Sequence, residues 1–216
     1  MNPHLTNQDT DPLYDLASLE RAAPITICGC DPGPEFCAFV AITYNPEDHS
    51  AKCAAAGFLD NELLESMDNA NSLAKWLGLG DVHVFAYEKV ANQGRIVGKQ
   101  VFDTCAMSGS LRRHALHDMG SKVIFSFMPS DWRWITVGFG NAKDTDTRAA
   151  LHEAEVDSLE AVIMTQAKAA KTRYQLTKSC TPHLRDAAGV ALACLLITRK
   201  LGDDALQRRL VYKRGM

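Results

Sequence analysis

Apolar residues alternate or run in short blocks through the first half of the chain and recur at helical spacing through the second. The opening 22 residues are polar, with Asn, Asp and Pro and little periodicity, which predicts a flexible N-terminal arm over 1–22. At Pro24 the pattern changes. Ile25-Thr26-Ile27-Cys28-Gly29-Cys30-Asp31 predicts a buried strand ending in a carboxylate, and Pro32-Gly33-Pro34 a turn. Residues 36–44 and 52–59 predict two more strands, parted by the turn at Asn45-Pro46-Glu47-Asp48, so the three form an antiparallel meander. Asp60 or Asn61 then caps a helix running to about residue 77, with Leu63, Leu64, Met67, Leu73 and Trp76 on one face.

Residues 82–88 predict a fourth strand, again closing on an acid, Glu88. A helix over 95–119 stops at Gly120, and a fifth strand covers 122–127. A short loop or helix bearing Trp132 and Trp134 leads to a Gly138-Phe139-Gly140 turn. One helix is expected over about 145–170 and a last one from Asp186 to Leu201. This order predicts an α/β domain over 23–216: a five-stranded mixed sheet, part antiparallel meander and part parallel, with helices on its faces.

Length and composition agree with one domain. The 216 residues are 46% hydrophobic and 23% charged, which excludes a disordered, collagen-like or coiled-coil chain. No apolar run reaches the roughly 18 residues of a membrane span. The first 23 residues hold four acids, one Arg and no apolar stretch, unlike a secretory or transit signal, so a cytoplasmic protein without membrane contact is expected. Seven cysteines with no Cys-x-x-Cys pair read as reduced, structural thiols rather than a zinc site.

Charge changes the picture once it is split. Residues 1–81 carry thirteen acids and three bases, and residues 82–216 thirteen acids and twenty bases, so −10 and +7 give the net −3. Residues 161–185 hold Lys168, Lys171, Arg173, Lys178 and Arg185 and no acid. Such a segment is a solvated helix face or a polyanion-binding one.

The acids supply candidate chemistry. Asp31 and Glu88 end two strands, and neighbouring strands deliver their C-terminal ends to one crevice. His183 and Asp186 lie three apart at the opening of the last helix, so one turn points them the same way. Each has a plain structural role open to it: a loop acid, a capping imidazole, an acid favoured by a helix N-terminus. Gathered in one pocket, however, the acids repel unless a cation lies between them. Hard oxygen ligands suit Mg²⁺ or Mn²⁺, and two such ions serve phosphodiester hydrolysis. The basic second half then holds a nucleic-acid backbone, with Lys89, Arg95, Lys99, Arg112, Arg133, Lys143, Lys168, Lys171, Arg173 and Lys178 as candidate contacts. His114, His117 and Asp118 share a helix without a further ligand and read as a polar face.

These same residues carry a resemblance. Ile27-Cys28-Gly29-Cys30-Asp31-Pro32-Gly33 resembles the first strand and Asp-Pro-Gly turn of the RuvC family of Holliday-junction resolvases, in the RNase H-like superfamily. Ala86-Tyr87-Glu88-Lys89-Val90 is similar to its second acidic strand, and Gly98-Lys99-Gln100 with the helix through Gly109 to its dimer-forming helix. Val137-Gly138-Phe139-Gly140-Asn141-Ala142-Lys143 resembles its Gly-x-Gly stretch, with a shorter gap before Lys143. His183-x-x-Asp186-Ala187-Ala188-Gly189-Val190-Ala191 is similar to its closing helix. The five motifs run in order over about 25–200.

The resemblance implies an RNase H-like fold with helices on both faces of the sheet. It implies a homodimeric, metal-dependent endonuclease of recombination and repair that resolves Holliday junctions or other branched DNA by symmetric paired nicks, leaving 5′-phosphates. Asp31, Glu88, His183 and Asp186 would be ligands for two Mg²⁺ or Mn²⁺ ions per site, and Lys143 a base near the scissile phosphate. The aromatic wedge the family often carries after its second acid is absent: Ala91, Asn92 and Gln93 stand there. Phe102, Trp132 and Trp134 are the aromatic candidates to replace it. Two other readings stand beside this one, a superfamily nuclease for single strands or RNA–DNA hybrids and a non-catalytic DNA-binding module.

Overall fold

β-Branched and small apolar residues at period two build the strands. The computed structural model describes residues 24–67, 73–90, 98–117, 119, 121 and 123–199. The expected arm over 1–22, Arg95, the wedge positions 91–93, Asp118, Gly120 and the end of the chain lie outside the described residues. The elements are β1 (Ile25–Pro32), β2 (Phe36–Tyr44), β3 (Ala51–Asp60), α1 (Asn61–Glu65), α2 (Leu73–Trp76), β4 (Val84–Glu88), α3 (Lys99–His117), β5 (Val123–Phe127), α4 (Pro129–Val137), α5 (Asp144–Glu153), β6 (Val156–Asp157), α6 (Leu159–Arg173) and α7 (Thr181–Arg199). Among the described residues no helix is long and apolar enough to cross a membrane.

The sheet order is β5-β4-β1-β2-β3-β6. β1, β2 and β3 form the expected antiparallel meander, and β4 and β5 add in parallel beyond β1. The sheet has six strands rather than five. Val156 and Asp157 pair with Ala51 and Lys52 and split the helix expected over 145–170 into α5 and α6. Glu155 and Ser158 flank that break at φ 53° and 61°. A left-handed non-glycine residue costs on the order of 1–2 kcal/mol, and Val156, buried at the sheet edge, sets its strand pairing and packing against that strain. The last helix also begins earlier than expected, at Thr181. Ser179 Oγ accepts from the Thr181 N–H at 3.2 Å, and Pro182 sits in the first turn, where its missing N–H costs nothing.

Alternation sorts the strands onto two cores. Ile25, Ile27, Val40, Ile42, Val84, Ala86 and Phe125 face α4 to α7, while Cys28, Cys30, Phe39 and Phe85 face α1 to α3. By the same period Asp31 continues the Ile25, Ile27, Gly29 set and Glu88 the Val84, Ala86 set, so both acids fall on the α7 side.

The thiols are free, as expected for reduced cysteines. Burial pushes Cys28 up to about 12 and Cys53 up to about 11. Cys105, on α3, is exposed to solvent. His114 is fully buried instead of lying on a polar face.

Where β1 meets α7, main chain packs directly on main chain. A Cβ added at Gly29 would lie 2.2 Å from the Ala187 carbonyl oxygen and 2.5 Å from the Ala191 nitrogen. Neither atom belongs to a side chain that can rotate away. Gly29→Ala is therefore expected to cost about 3 kcal/mol, read as a lower urea midpoint; an unchanged midpoint would mean that α7 shifts freely off β1.

Candidate active site

The site begins at a strand end. β1 pairs with β4 in parallel up to Cys30 opposite Tyr87, which brings Asp31 and Glu88 to the same edge of the sheet on neighbouring strands. The turn after Asp31 is pinned by Asn61. Its N–H donates to the Glu35 carbonyl at 2.9 Å and its side-chain amide to the Gly33 carbonyl at 3.0 Å. The Asp60 carboxylate caps α1 by accepting from the Glu62 and Leu63 N–H groups at 2.7 and 3.3 Å, as its sequence position predicts.

α7 supplies the other two groups from its first two turns. His183 Nδ1 lies 2.8 Å from Asp31 Oδ2. Asp186 is near enough to Asp31 and Glu88 for their charges to act on one another. The four residues singled out from sequence spacing are thus brought to one end of the sheet. A cleft of about 240 Å³ opens there, lined by Asp31, Pro32, Glu88, Lys89, Val90, Thr104 and Pro129.

Each acid also has a donor or cation of its own. His183 serves Asp31; the indole N–H of Trp132 donates to Glu88 Oε2 at 2.6 Å; and Arg133 lies 3.8 Å from Asp186 Oδ1. Among the described residues no three His, Cys, Asp or Glu side chains are drawn together closely enough to form a metal cage. The donor types are nonetheless those of a hard cation: three carboxylates and an imidazole at one end of the sheet, with Asp31 and Glu88 on the cleft wall.

Protonation reports the crowding. Burial, then the charge of Asp31, pushes Glu88 up to about 8, against the pull of the Trp132 N–H. Burial and Asp31 likewise push Asp186 up to about 6, although Arg133 and His183 oppose the shift. His183 is raised by its hydrogen bond to Asp31. Burial lowers Lys89 at the cleft wall.

The remaining sequence candidates are spread out. Lys143 is exposed at the N-cap of α5, its backbone N–H on the Asp146 carboxylate at 2.9 Å. Lys99 is exposed and paired with Asp103 at 2.6 Å, and Arg112 is half-buried on α3. Lys168, Lys171 and Arg173 are exposed on α6, and Lys178 on the loop that follows. Arg185 breaks from its segment. It is buried and bonded to Asp144 at 3.3 Å and Glu160 at 2.7 Å, where it ties α7 to α5 and α6. Of the aromatic candidates for a wedge, Trp132 is fully buried and Trp134 half-buried, which removes Trp132; Phe102 is 65% exposed.

Sequence reasoning missed the role of Trp132 beside Glu88. The available signal is general: a buried indole N–H needs an acceptor, and Glu88 ends the strand next to β5, from which α4 departs.

The raised groups predict a pH dependence. Glu88, Asp186 and His183 all hold protons more tightly in the fold than in the unfolded chain, so each adds stability at low pH that is lost as pH rises through its folded value. Without divalent metal, the thermal midpoint is expected to decline as pH rises from about 4, where Asp186 ionises in the unfolded chain, to about 8, where Glu88 ionises in the fold. Glu88→Gln should flatten the upper part of that decline and gain about 2 kcal/mol at pH 8, measured by thermal melts in chelator. A flat wild-type profile would contradict the repulsion.

No protein-family model matches the sequence, and no curated protein matches it. Solved structures do match. The chain is similar to Thermus thermophilus RuvC at 14% identity and TM-score 0.54, over 81% of this chain and 96% of that one. It is similar to T. thermophilus RuvC in complex with a Holliday junction substrate at 11% identity and TM-score 0.50, over 81% and 95%. It is also similar to the yeast mitochondrial Holliday junction resolvase Ydc2, at 10% identity and TM-score 0.57, over 91% and 88%. At such identities the likeness is one of architecture, and the chain has the RNase H-like α/β fold of the RuvC-type resolvases.

Proposed function

We propose that this chain is a divalent-metal-dependent endonuclease that resolves four-way DNA junctions as a homodimer. The observation that carries the reading is the gathering of Asp31, Glu88, Asp186 and His183 at one end of the sheet, beside a cleft lined by Asp31 and Glu88, with Glu88 and Asp186 pushed up by burial and by the charge of Asp31. Acids held this close are stable together when protons or a cation neutralise them. The solved relatives of this fold include a RuvC bound to a Holliday junction, which supports the choice of substrate.

In this reading Asp31, Glu88, Asp186 and His183 hold Mg²⁺ or Mn²⁺, two ions per site. Divalent ions on such a carboxylate set supply an activated water and stabilise the leaving oxygen of a phosphodiester. His183 keeps Asp31 oriented through their 2.8 Å contact. Lys143, Lys168, Lys171, Arg173 and Lys178, all exposed, supply phosphate contacts, as do Lys89 at the cleft wall and Arg133 beside Asp186. Lys99, Arg112 and Arg95 extend that role along and before α3.

The dimer face would be the outer row of α3. Phe102, Cys105, Ala106, Gly109 and Leu116 recur there at helical spacing, all exposed, and Gly109 has open space before it. An apolar row on a surface helix fits a second copy of the same helix. Leu116→Glu is expected to halve the mass seen by light scattering and to turn paired nicks into single ones; a dimer that survives it would move the interface elsewhere.

The function is tested with a labelled four-way junction in Mg²⁺ or Mn²⁺, beside matched linear duplex and RNA–DNA hybrid. Wild type is expected to place paired symmetric nicks in the junction alone. Chelation should stop cleavage, and Asp31→Asn should slow it at least about 100-fold while still binding the junction. Equal cutting of linear or hybrid DNA would keep the metal site and overturn the junction selectivity. Tight junction binding with no nicks in any metal would instead make the chain a binding module.

A further inference from the structure

The acids of the site come from β1, β4 and α7, yet the closest hydrogen bond to any of them comes from α4. Trp132 is fully buried, and its Nε1–H donates to Glu88 Oε2 at 2.6 Å. The ring is wedged from behind by α7: a Cβ added at Gly189 would lie 2.4 Å from Trp132 Cζ3 and 2.8 Å from Cε3. The Arg133 guanidinium stands 4.9 Å from the ring centroid and 3.8 Å from Asp186 Oδ1. The indole is thus contacted by α7 and by Arg133 as well as by Glu88. Its packing and its hydrogen bond fix each other.

From this geometry we propose that Trp132 is a positioning residue for the metal site: its N–H holds one oxygen of Glu88 and so presets the orientation in which the other oxygen, Oε1, meets the cation. The inference rests on the metal-site reading above. The contacts with Gly189 are made by carbons of the indole's six-membered ring and none involves Nε1, so packing alone does not call for the N–H. A carboxylate at a strand end keeps its side-chain torsions free, and a cation that binds it must then order them. A buried donor bonded to one oxygen removes that freedom before binding. Outer partners of this kind are worth about 10- to 100-fold in metal affinity.

The test uses the full chain and Mn²⁺ alone as the probe. Trp132→Phe is compared with wild type for Mn²⁺ affinity by calorimetry, for junction affinity in chelator, and for the thermal midpoint. The expected result is a Mn²⁺ dissociation constant raised about tenfold or more, junction affinity in chelator unchanged, and nicking partly restored by excess Mn²⁺. Replacement of Trp132 by 3-benzothienylalanine, which has the shape of Trp and no N–H, should give the same Mn²⁺ defect and decides the matter if the phenylalanine variant folds poorly. Wild-type Mn²⁺ affinity in a folded variant lacking the N–H overturns the inference. Glu88→Gln keeps the two claims apart. If it binds Mn²⁺ as tightly as wild type, the metal site itself is wrong; if it loses Mn²⁺ while the variants at 132 do not, only the positioning role falls.

Discussion

Three carboxylates brought to one strand edge repel one another, and the fold has to contain that repulsion whatever else it does. The sheet creates the problem: β1 and β4 run parallel as neighbours, and both end in acids that face the same core. The helices answer it. α7 sets His183 on Asp31, and α4 sets Trp132 on Glu88 and Arg133 beside Asp186. Each acid is thereby oriented by a donor or cation that is not itself an acid. Burial first, and then the charge of Asp31, favours the protonated forms of Glu88 and Asp186, while the exposed Asp48, held by Ser50, is lowered.

This arrangement joins stability to chemistry. A group that destabilises the folded chain when ionised is one that a cation can stabilise by binding, so a metal held in the proposed way would draw on the same charges that set the pH dependence. Arg185 plays the opposite part. Its ion pairs with Asp144 and Glu160 lie away from the cleft and lock three helices together, so the start of α7 stays where His183 and Asp186 need it. A basic residue in an acid-free stretch of sequence is thus structural in one case and exposed in its neighbours Lys168, Lys171 and Arg173.

Much of this was legible in the sequence. The strands from Ile25 to Glu88 follow from period-two alternation, and the two acids at strand ends follow from where that alternation stops. What escaped has a common cause. The sixth strand needs Val156 to pair with Ala51, more than a hundred residues away, at the cost of two left-handed residues that no local propensity favours. The partnership of Trp132 and Glu88 spans 44 positions and depends on where α4 lands on the sheet. The early start of α7, by contrast, is written locally, because Ser179, Thr181 and Pro182 form a recognisable helix opening. Tertiary contacts decide the cases in which local pattern is silent.

The contact of Gly29 with α7 bears on how such a protein diverges. The spacing between the strand that carries Asp31 and the helix that carries Asp186 is set by a glycine pressed against a helical carbonyl and amide, not by interlocking side chains. A gauge made of backbone has no sequence of its own beyond that glycine. Side chains over the rest of both elements can drift in kind and size while the acids keep their separation. Chains alike in about one residue in seven to ten can then share one architecture, and in this fold the record of common geometry outlasts the record of common sequence.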